Sequence, residues 1–283
     1  METIKQWWSN DLSRGVKLVF LVLLANGLPA FIILMSIPGK TESFFVWTVR
    51  PEINARLLGV MYSNALMLVL FGALQRSWAR VRITMVVITL FSVLATVLTF
   101  FYLKPFLAHP WYHLTYWLTM YLVLFVAAPF VFVTHERKGG GRLPVSIPLT
   151  SAARAVAGSS LAVSLFSAGL LLFRIDVVNQ MWLWKLPPLV GGLIGVLFLT
   201  HAAAYAWALW DGDWLRVRPM FWQAPLTGLL FLLLPLIHPA DLHPDMQTAV
   251  TAYILLAGLF VLAYIGVILG QRAVEQRLAS HAS

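Results

Sequence analysis

The strings Trp78-Ala79-Arg80-Val81-Arg82 and Trp214-Leu215-Arg216-Val217-Arg218 repeat one pattern in the two halves of a 283-residue chain. Matching landmarks surround both strings: Trp47, Pro51 and His109-Pro110 in the first half, and Trp184, Pro188 and His243-Pro244 in the second. Trp47 and Trp78 are 31 residues apart, and Trp184 and Trp214 are 30 apart. Landmarks that recur in one order at nearly one spacing predict two fused copies of a single structural unit.

The composition is that of an integral membrane protein. Hydrophobic residues make up 60% of the chain and charged residues 11%, and the mean hydropathy is +0.82, whereas soluble domains are about 45–50% apolar and about 25% charged. A helix needs about 20 apolar residues to cross a bilayer. Eight stretches meet this need, at 16–36, 55–74, 83–103, 114–134, 152–173, 188–209, 220–237 and 249–270. The sequence therefore predicts an all-α protein with about eight transmembrane helices, of which the seventh, short and containing Pro225 and Pro235, is the weakest.

Charge distribution predicts the orientation. With the amino terminus in the cytoplasm, fourteen of the 20 Lys and Arg residues fall on the cytoplasmic side, as the positive-inside rule requires. Each copy has an even number of crossings, so the sequence predicts two parallel four-helix repeats with both termini cytoplasmic. The net charge of +9 is scattered over segment ends, so we expect no nucleic-acid partner. The expected location is a cell membrane, of the bacterial plasma or inner membrane type.

Five regions follow from this organisation. We expect an interfacial segment at 1–15 with Trp7 and Trp8, a first repeat at 16–136, a basic Gly/Pro linker at 137–150, a second repeat at 151–272 and a cytoplasmic tail at 273–283. The chain has no cysteine, which excludes disulfides, thiolate metal sites and cysteine nucleophiles.

Two polar residues stand out inside the predicted spans. His201 falls near the middle of the sixth span, and the repeat offset aligns it with Asn64 in the second. Ionisable groups at this depth are costly and point to function. Together with Ser63, Tyr62 and Tyr205 they are candidates for a ligand or translocation site between the two repeats. The alternative is that they only bridge neighbouring helices by hydrogen bonds.

The repeated arginines have two interpretations. Arg80, Arg82, Arg216 and Arg218 could bind anionic lipid head groups or phosphate, since guanidinium groups pair with phosphate in a bidentate manner. The interpretation that the sequence favours is that they anchor the topology beside interfacial tryptophans. Asp211 and Asp213 occur only in the second copy, and we expect them to pair with its arginines.

A metal site is a further candidate. His109 and His113 are four residues apart, and His238, Asp241 and His243 offer nitrogen and oxygen donors in the matching connection, as metals require. Pro110 interrupts helical geometry between the first two, and ordinary loop histidines are the alternative.

No motif identifies a reaction. Nucleophile elbows, phosphate-binding glycine loops and zinc-protease motifs do not occur, so catalysis is not the expected activity and no cofactor can be named. The leading hypothesis is a small transporter, channel or ligand-binding membrane protein with a polar site between the repeats. The alternatives are a non-catalytic membrane subunit or lipid-interacting scaffold, and a membrane-embedded cofactor protein or enzyme. The lipid bilayer is the expected partner, and a homo-oligomer or a larger membrane complex stays open.

Overall fold

The computed structural model describes residues 12–138, 141, 143 and 145–282, and this part of the chain is helical without a β-strand. Its eight long helices are α1 (Arg14–Ser36), α2 (Glu52–Ala73), α3 (Trp78–Phe101), α4 (Trp111–Arg137), α5 (Ser151–Phe173), α6 (Pro188–Asp211), α7 (Trp214–Ile237) and α8 (Gln247–Ala282). All eight are long and apolar enough to cross a membrane, α8 over Thr248–Leu278. The prediction of eight spans is therefore confirmed.

Three expected regions lie partly outside the described residues or prove to be helical. Residues 1–11, which include Trp7 and Trp8, lie outside the described residues, as do 139, 140, 142 and 144 of the linker. At the other end α8 continues to Ala282, so most of the expected tail belongs to the last helix.

Short polar side chains and prolines set where the long helices begin. Ser13, Thr150 and Asp213 precede α1, α5 and α7, and each side chain accepts a hydrogen bond from a backbone N–H in the first turn, as N-caps do. Pro51 precedes α2 and Pro188 opens α6, where the missing N–H would be unpaired anyway. Gly212 adopts a φ of 68° and ends α6, a conformation that favours glycine.

Four helices form the interior of the bundle and four form its outside. The inner helices α2, α3, α6 and α7 are far more buried than α1, α4, α5 and α8. In the first half α1 packs on α2 and α3 on α4, and in the second half α5 packs on α6 and α7 on α8. The halves meet mainly where α2 packs on α7 and α3 packs on α6.

The bundle has two chemically different ends. The basic end is defined by Arg80, Arg82, Arg216 and Arg218, where α3 and α7 begin. The loop end is defined by the connections 37–51, 102–110, 174–187 and 238–246. Short helical turns occupy these connections, at Pro38–Lys40, Thr41–Phe44, Leu103–Leu107, Ile175–Met181 and Pro239–Asp241.

The repeated tryptophans lie in the protein interior. Trp47 and Trp184 at the loop end, and Trp78 and Trp214 at the basic end, are all buried. Trp47, for example, packs with its ring centroid 5.1 Å from that of Trp117. The sequence favoured anchoring at the membrane interface, but large rings fill space between helices better than side chains of lower volume. These four residues therefore stabilise helix packing at each end.

Candidate functional site

Asn64 and His201 contact each other where the two halves meet. The Nε2 atom of His201 lies 3.1 Å from Asn64 Oδ1, and its Nδ1 atom lies 2.8 Å from the carbonyl oxygen of Leu197. Both side chains are buried, and each lies near the middle of its helix. The structure thus brings together the two residues that the repeat offset aligns.

Helix α7 extends this contact through two residues that the sequence reasoning missed. Asn64 Nδ2 donates to Gln223 Oε1 and, over 3.2 Å, to Thr227 Oγ1. Gln223 Nε2 donates to the carbonyl oxygen of Met220 over 3.1 Å. The sequence signal for them is a glutamine four residues before a threonine in an apolar span. The prediction gave weight to ionisable groups and did not include these two residues. We call Asn64, His201, Gln223 and Thr227 the polar chain.

Ser63 and Tyr205, two further predicted site residues, have hydrogen-bond partners outside this group. Ser63 Oγ donates to the carbonyl oxygen of Val60 in its own helix. Tyr205 is hydrogen-bonded to Tyr264, which is bonded in turn to Ser160, so this group joins α6, α8 and α5. The predicted residues therefore do not surround one open polar site between the halves, because the side chains at that junction are bonded to one another.

A cavity lies inside the first four-helix half. It has a volume of about 200 Å³ and is bounded by α1, α2, α3 and α4, with Leu193 and Leu197 of α6 in one wall. Asn64 lines it, and so does Tyr62, which is hydrogen-bonded to Tyr121. A cavity therefore lies beside Asn64, but it is inside the first half and not at the junction between the halves.

The cavity is mainly apolar, with a few polar groups. Its polar lining residues are Asn26, Tyr62, Asn64, Ser92, Tyr116 and Tyr121. Within the described residues no Asp, Glu, Lys or Arg lines it. Most of the polar groups are already paired: Tyr116 donates to Asn26 Oδ1, Asn26 Nδ2 donates to the Val22 carbonyl oxygen, and Ser92 Oγ donates to that of Ile88.

The position of the cavity follows from how α1 and α4 meet. Towards the basic end Val16 of α1 shares an apolar cluster with Leu124 and Val131 of α4. Towards the loop end Asn26 of α1 is hydrogen-bonded to Tyr116 and Met120 of α4, and the cavity lining includes the exposed residues Pro29, Phe44 and Tyr116. The lining of the cavity therefore reaches the protein surface near the loop end of α1 and α4.

Two glycines of the second half let its helices approach each other closely. A Cβ atom on Gly195 of α6 would lie 2.8 Å from Leu172 of α5. One on Gly228 of α7 would lie 2.7 Å from Val261 of α8. Such contacts are closer than real Cβ atoms make, so glycine permits this approach.

The loop end holds a more open recess of about 400 Å³ and further contacts between the halves. Asp241 Oδ2 accepts from the Ile53 backbone N–H over 3.2 Å and lies 3.1 Å from His238 Nδ1. Asn54 accepts from Trp184 Nε1 over 3.0 Å and donates to the Lys185 carbonyl oxygen. Burial lowers the pKa of His238, and the neighbouring Arg56 guanidinium lowers it further, although Asp241 and Glu52 oppose this.

The candidate metal ligands fall into separate places. His109 Nε2 is hydrogen-bonded to Thr48, and the His109 ring stacks on that of His113 at 5.5 Å. His238 and Asp241 form a different pair, and neither pair gains His243. Among the residues that the structure describes, no three or more His, Cys, Asp or Glu residues are grouped closely enough to hold a metal ion.

Three of the four repeated arginines pair with carboxylates of this chain. Arg82 lies 3.4 Å from Glu136, and Arg218 lies 3.8 Å from Glu275. Arg216 lies 2.8 Å from Asp211 and 3.9 Å from Asp213, as expected from the sequence. Arg80 has no carboxylate partner among the described residues. The charges of Arg82, Arg216 and Arg218 are therefore matched by carboxylates of the same chain.

Its eight apolar helices make the chain a polytopic membrane protein. No protein-family model, curated protein or solved structure matches it.

Proposed function

We propose that this protein binds a small, uncharged, lipid-soluble molecule in the cavity of its first four-helix half, as a transporter or ligand-binding protein of the membrane. The observation that carries the proposal is the cavity of about 200 Å³ beside Asn64. This site replaces the polar site between the halves that the sequence favoured.

Size and charge define the ligand class. An apolar cavity of about 150 Å³ accommodates benzene, so the present cavity fits one substituted ring or a short branched chain. A charged group without a partner is strongly disfavoured in an apolar site, and the described lining offers no opposite charge. Trp117 and Phe91 provide aromatic faces for such a ligand.

The exposed part of the cavity lining supports access from the bilayer. Pro29, Phe44 and Tyr116 are exposed at the cavity between α1 and α4. A molecule dissolved in the membrane reaches these residues without crossing a polar surface. Lateral access also suits an apolar lining better than a water-filled path does.

We also propose that the two halves are parallel copies of one unit, with both termini in the cytoplasm. The helix pairings of the first half recur in the second, with α1/α2, α3/α4 and α1/α4 matching α5/α6, α7/α8 and α5/α8. The ion pair Arg82–Glu136 has its counterpart in Arg218–Glu275. The excess of basic residues at the predicted cytoplasmic loops supports the orientation.

Filling the cavity tests the binding function. Ala65 lines the cavity and is exposed there, so Ala65→Phe places a ring inside it. Ala155→Phe is the matched control, since Ala155 is exposed on α5 outside the cavity. We expect purified wild type and Ala155→Phe to bind radiolabelled toluene saturably, near one per chain, and Ala65→Phe to lose this binding.

Two results would reject the binding site. One is toluene uptake by the wild type that never exceeds partition into protein-free micelles. The other is an Ala65→Phe protein that binds as well as the wild type. A mass-spectrometric inventory of compounds that co-purify with each variant identifies the natural ligand, which should be present with the wild type and absent from Ala65→Phe.

A further inference from the structure

The polar chain contains one hydrogen too few for the hydrogen bonds that its geometry sets up. Four links run from the Leu197 carbonyl to His201, from His201 to Asn64, from Asn64 to Gln223 and from Gln223 to the Met220 carbonyl. Both ends are backbone carbonyls, which only accept. Every hydrogen in these links must therefore come from the three side chains between them.

Those side chains supply three hydrogens along the chain. A neutral imidazole offers one N–H and one lone pair, and a carboxamide placed between two neighbours offers its NH₂ on one side and its oxygen on the other. Turning either amide, or choosing the other imidazole tautomer, moves the missing hydrogen to another link without supplying it. Thr227 Oγ1 lies beside Asn64 and Gln223, and its contacts do not reach the link to His201.

Protonation of the His201 ring would supply the missing hydrogen, but the surroundings of His201 do not favour a charged ring. His201 is buried near the middle of a span, and no charged side chain of the described residues acts on it. A charge without a partner is strongly disfavoured at that depth, whereas a neutral ring leaves only one hydrogen bond unmade. The neutral ring with one acceptor left unpaired is the lower-energy state.

The cavity reaches the polar chain at Asn64. Asn64 lines the cavity, whereas His201, Gln223 and Thr227 do not. The His201 contact to the Leu197 carbonyl is the shorter of its two, 2.8 Å against 3.1 Å to Asn64 Oδ1, which favours the tautomer with its hydrogen on Nδ1. In this tautomer Nε2 carries a lone pair, and Asn64 Oδ1 receives no hydrogen from His201. A hydrogen-bond donor arriving through the cavity supplies this oxygen with a hydrogen.

We propose that the ligand is a small uncharged alcohol or phenol whose hydroxyl group donates to Asn64 Oδ1. This inference rests on the proposed function, because it assigns the polar group of the molecule bound in the same cavity. The hydroxyl occupies the Asn64 end of the cavity, and the hydrocarbon body packs against the aromatic and aliphatic walls.

Phenol and anisole distinguish this proposal from simple cavity filling. Both fit the space, but anisole carries a methyl group in place of the hydroxyl hydrogen. A cavity without a special acceptor favours anisole, which is the more apolar of the two. We expect phenol to displace radiolabelled toluene with an affinity about tenfold higher than that of anisole, as loss of one buried hydrogen bond implies. Equal affinity, or a preference for anisole, with toluene still bound overturns the donor inference and leaves the binding function standing.

Variants locate the acceptor. Asn64→Leu should abolish the preference for phenol while keeping toluene binding, and Tyr121→Phe, which changes another polar lining residue, should keep the preference. The opposite pattern assigns the hydroxyl to the tyrosine pair and overturns the proposal. If Asn64→Leu does not fold, the double variant Asn64→Leu/Gln223→Leu serves instead, because replacing both hydrogen-bond partners leaves fewer unpaired groups. Failure of toluene, phenol and anisole alike to bind the wild type rejects the proposed function itself.

Discussion

Asn64 should be the residue whose loss most weakens the contact between the two halves. Its amide donates to Gln223 and Thr227 on α7 and lies against His201 on α6. Hydrogen bonds between membrane helices contribute about 0.6 kcal/mol on average and up to about 1.7 kcal/mol. The two donated bonds place the destabilisation by Asn64→Leu at about 1.2 kcal/mol or more, because the partners left unpaired add to the loss.

A double-mutant cycle separates this interaction from general effects of substitution. Asn64→Leu and Gln223→Leu are made singly and together, and unfolding is followed by circular dichroism as sodium dodecyl sulfate is added to mixed micelles. We expect a coupling energy of about 1 kcal/mol, with the double variant more stable than the two single losses predict.

A neighbouring hydroxyl provides the control for this cycle. Thr200 is as buried as His201, but its Oγ1 donates only to the Val196 carbonyl oxygen of its own helix. Thr200→Val combined with Gln223→Leu should be additive to within about 0.3 kcal/mol. Additivity of Asn64→Leu with Gln223→Leu to the same limit would refute the bond between α2 and α7 and, with it, the continuous polar chain.

Three further results are expected with the same unfolding assay. Because its pKa is lowered, His238 binds fewer protons in the folded protein than in the unfolded chain. The free energy of unfolding therefore falls as the pH drops below the ordinary histidine pKa of about 6.5. His238→Gln should reduce the loss of stability between about pH 7.5 and about pH 5.5, and an unchanged loss contradicts this. Gly195→Ala should destabilise by about 1–3 kcal/mol because its Cβ meets α5, whereas Gly169→Ala, which meets nothing within 4 Å, should be neutral or stabilise by up to about 1 kcal/mol; equal effects would remove the packing explanation. Asn54→Leu should cost about 1–3 kcal/mol by leaving the Trp184 indole N–H unpaired, and a loss below about 0.5 kcal/mol would show that this bond contributes little.

Hydropathy predicted the spans because every helix that crosses the membrane needs about 20 apolar residues. It placed the start of the seventh span at residue 220, but α7 begins at Trp214 and continues through Pro225 and Pro235. The reason is that hydropathy falls at the first charged side chains, Arg216 and Arg218, while backbone hydrogen bonding starts at the Asp213 cap. The existence of each helix could therefore be predicted, as could ends such as the start at Pro188 and the end at Phe173, whereas the start of α7 among charged residues could not.

The candidate site was only partly accessible from the sequence. The repeat offset aligned Asn64 with His201, and these residues do contact each other. The cavity was not predictable in the same way, because a void depends on how side chains from α1, α2, α3 and α4 fail to fill one space. Its boundaries come from residues such as Asn26 and Tyr121, which lie far apart in the sequence and carry no local motif.

The residue count that aligns the two halves also pairs positions whose surroundings differ. Ser92 and Gly228 follow Trp78 and Trp214 at the same distance. Without a side chain at Gly228, Val261 of α8 lies against the backbone of α7, whereas Ser92 lines the cavity between α3 and its neighbours. The count also aligns Phe91 of the cavity wall with Thr227 of the polar chain. If the halves are two copies of one unit, as proposed, the second copy provides polar side chains and close helix packing, and the first provides the cavity. The unpaired acceptor Asn64 Oδ1 and the cavity therefore meet at one residue.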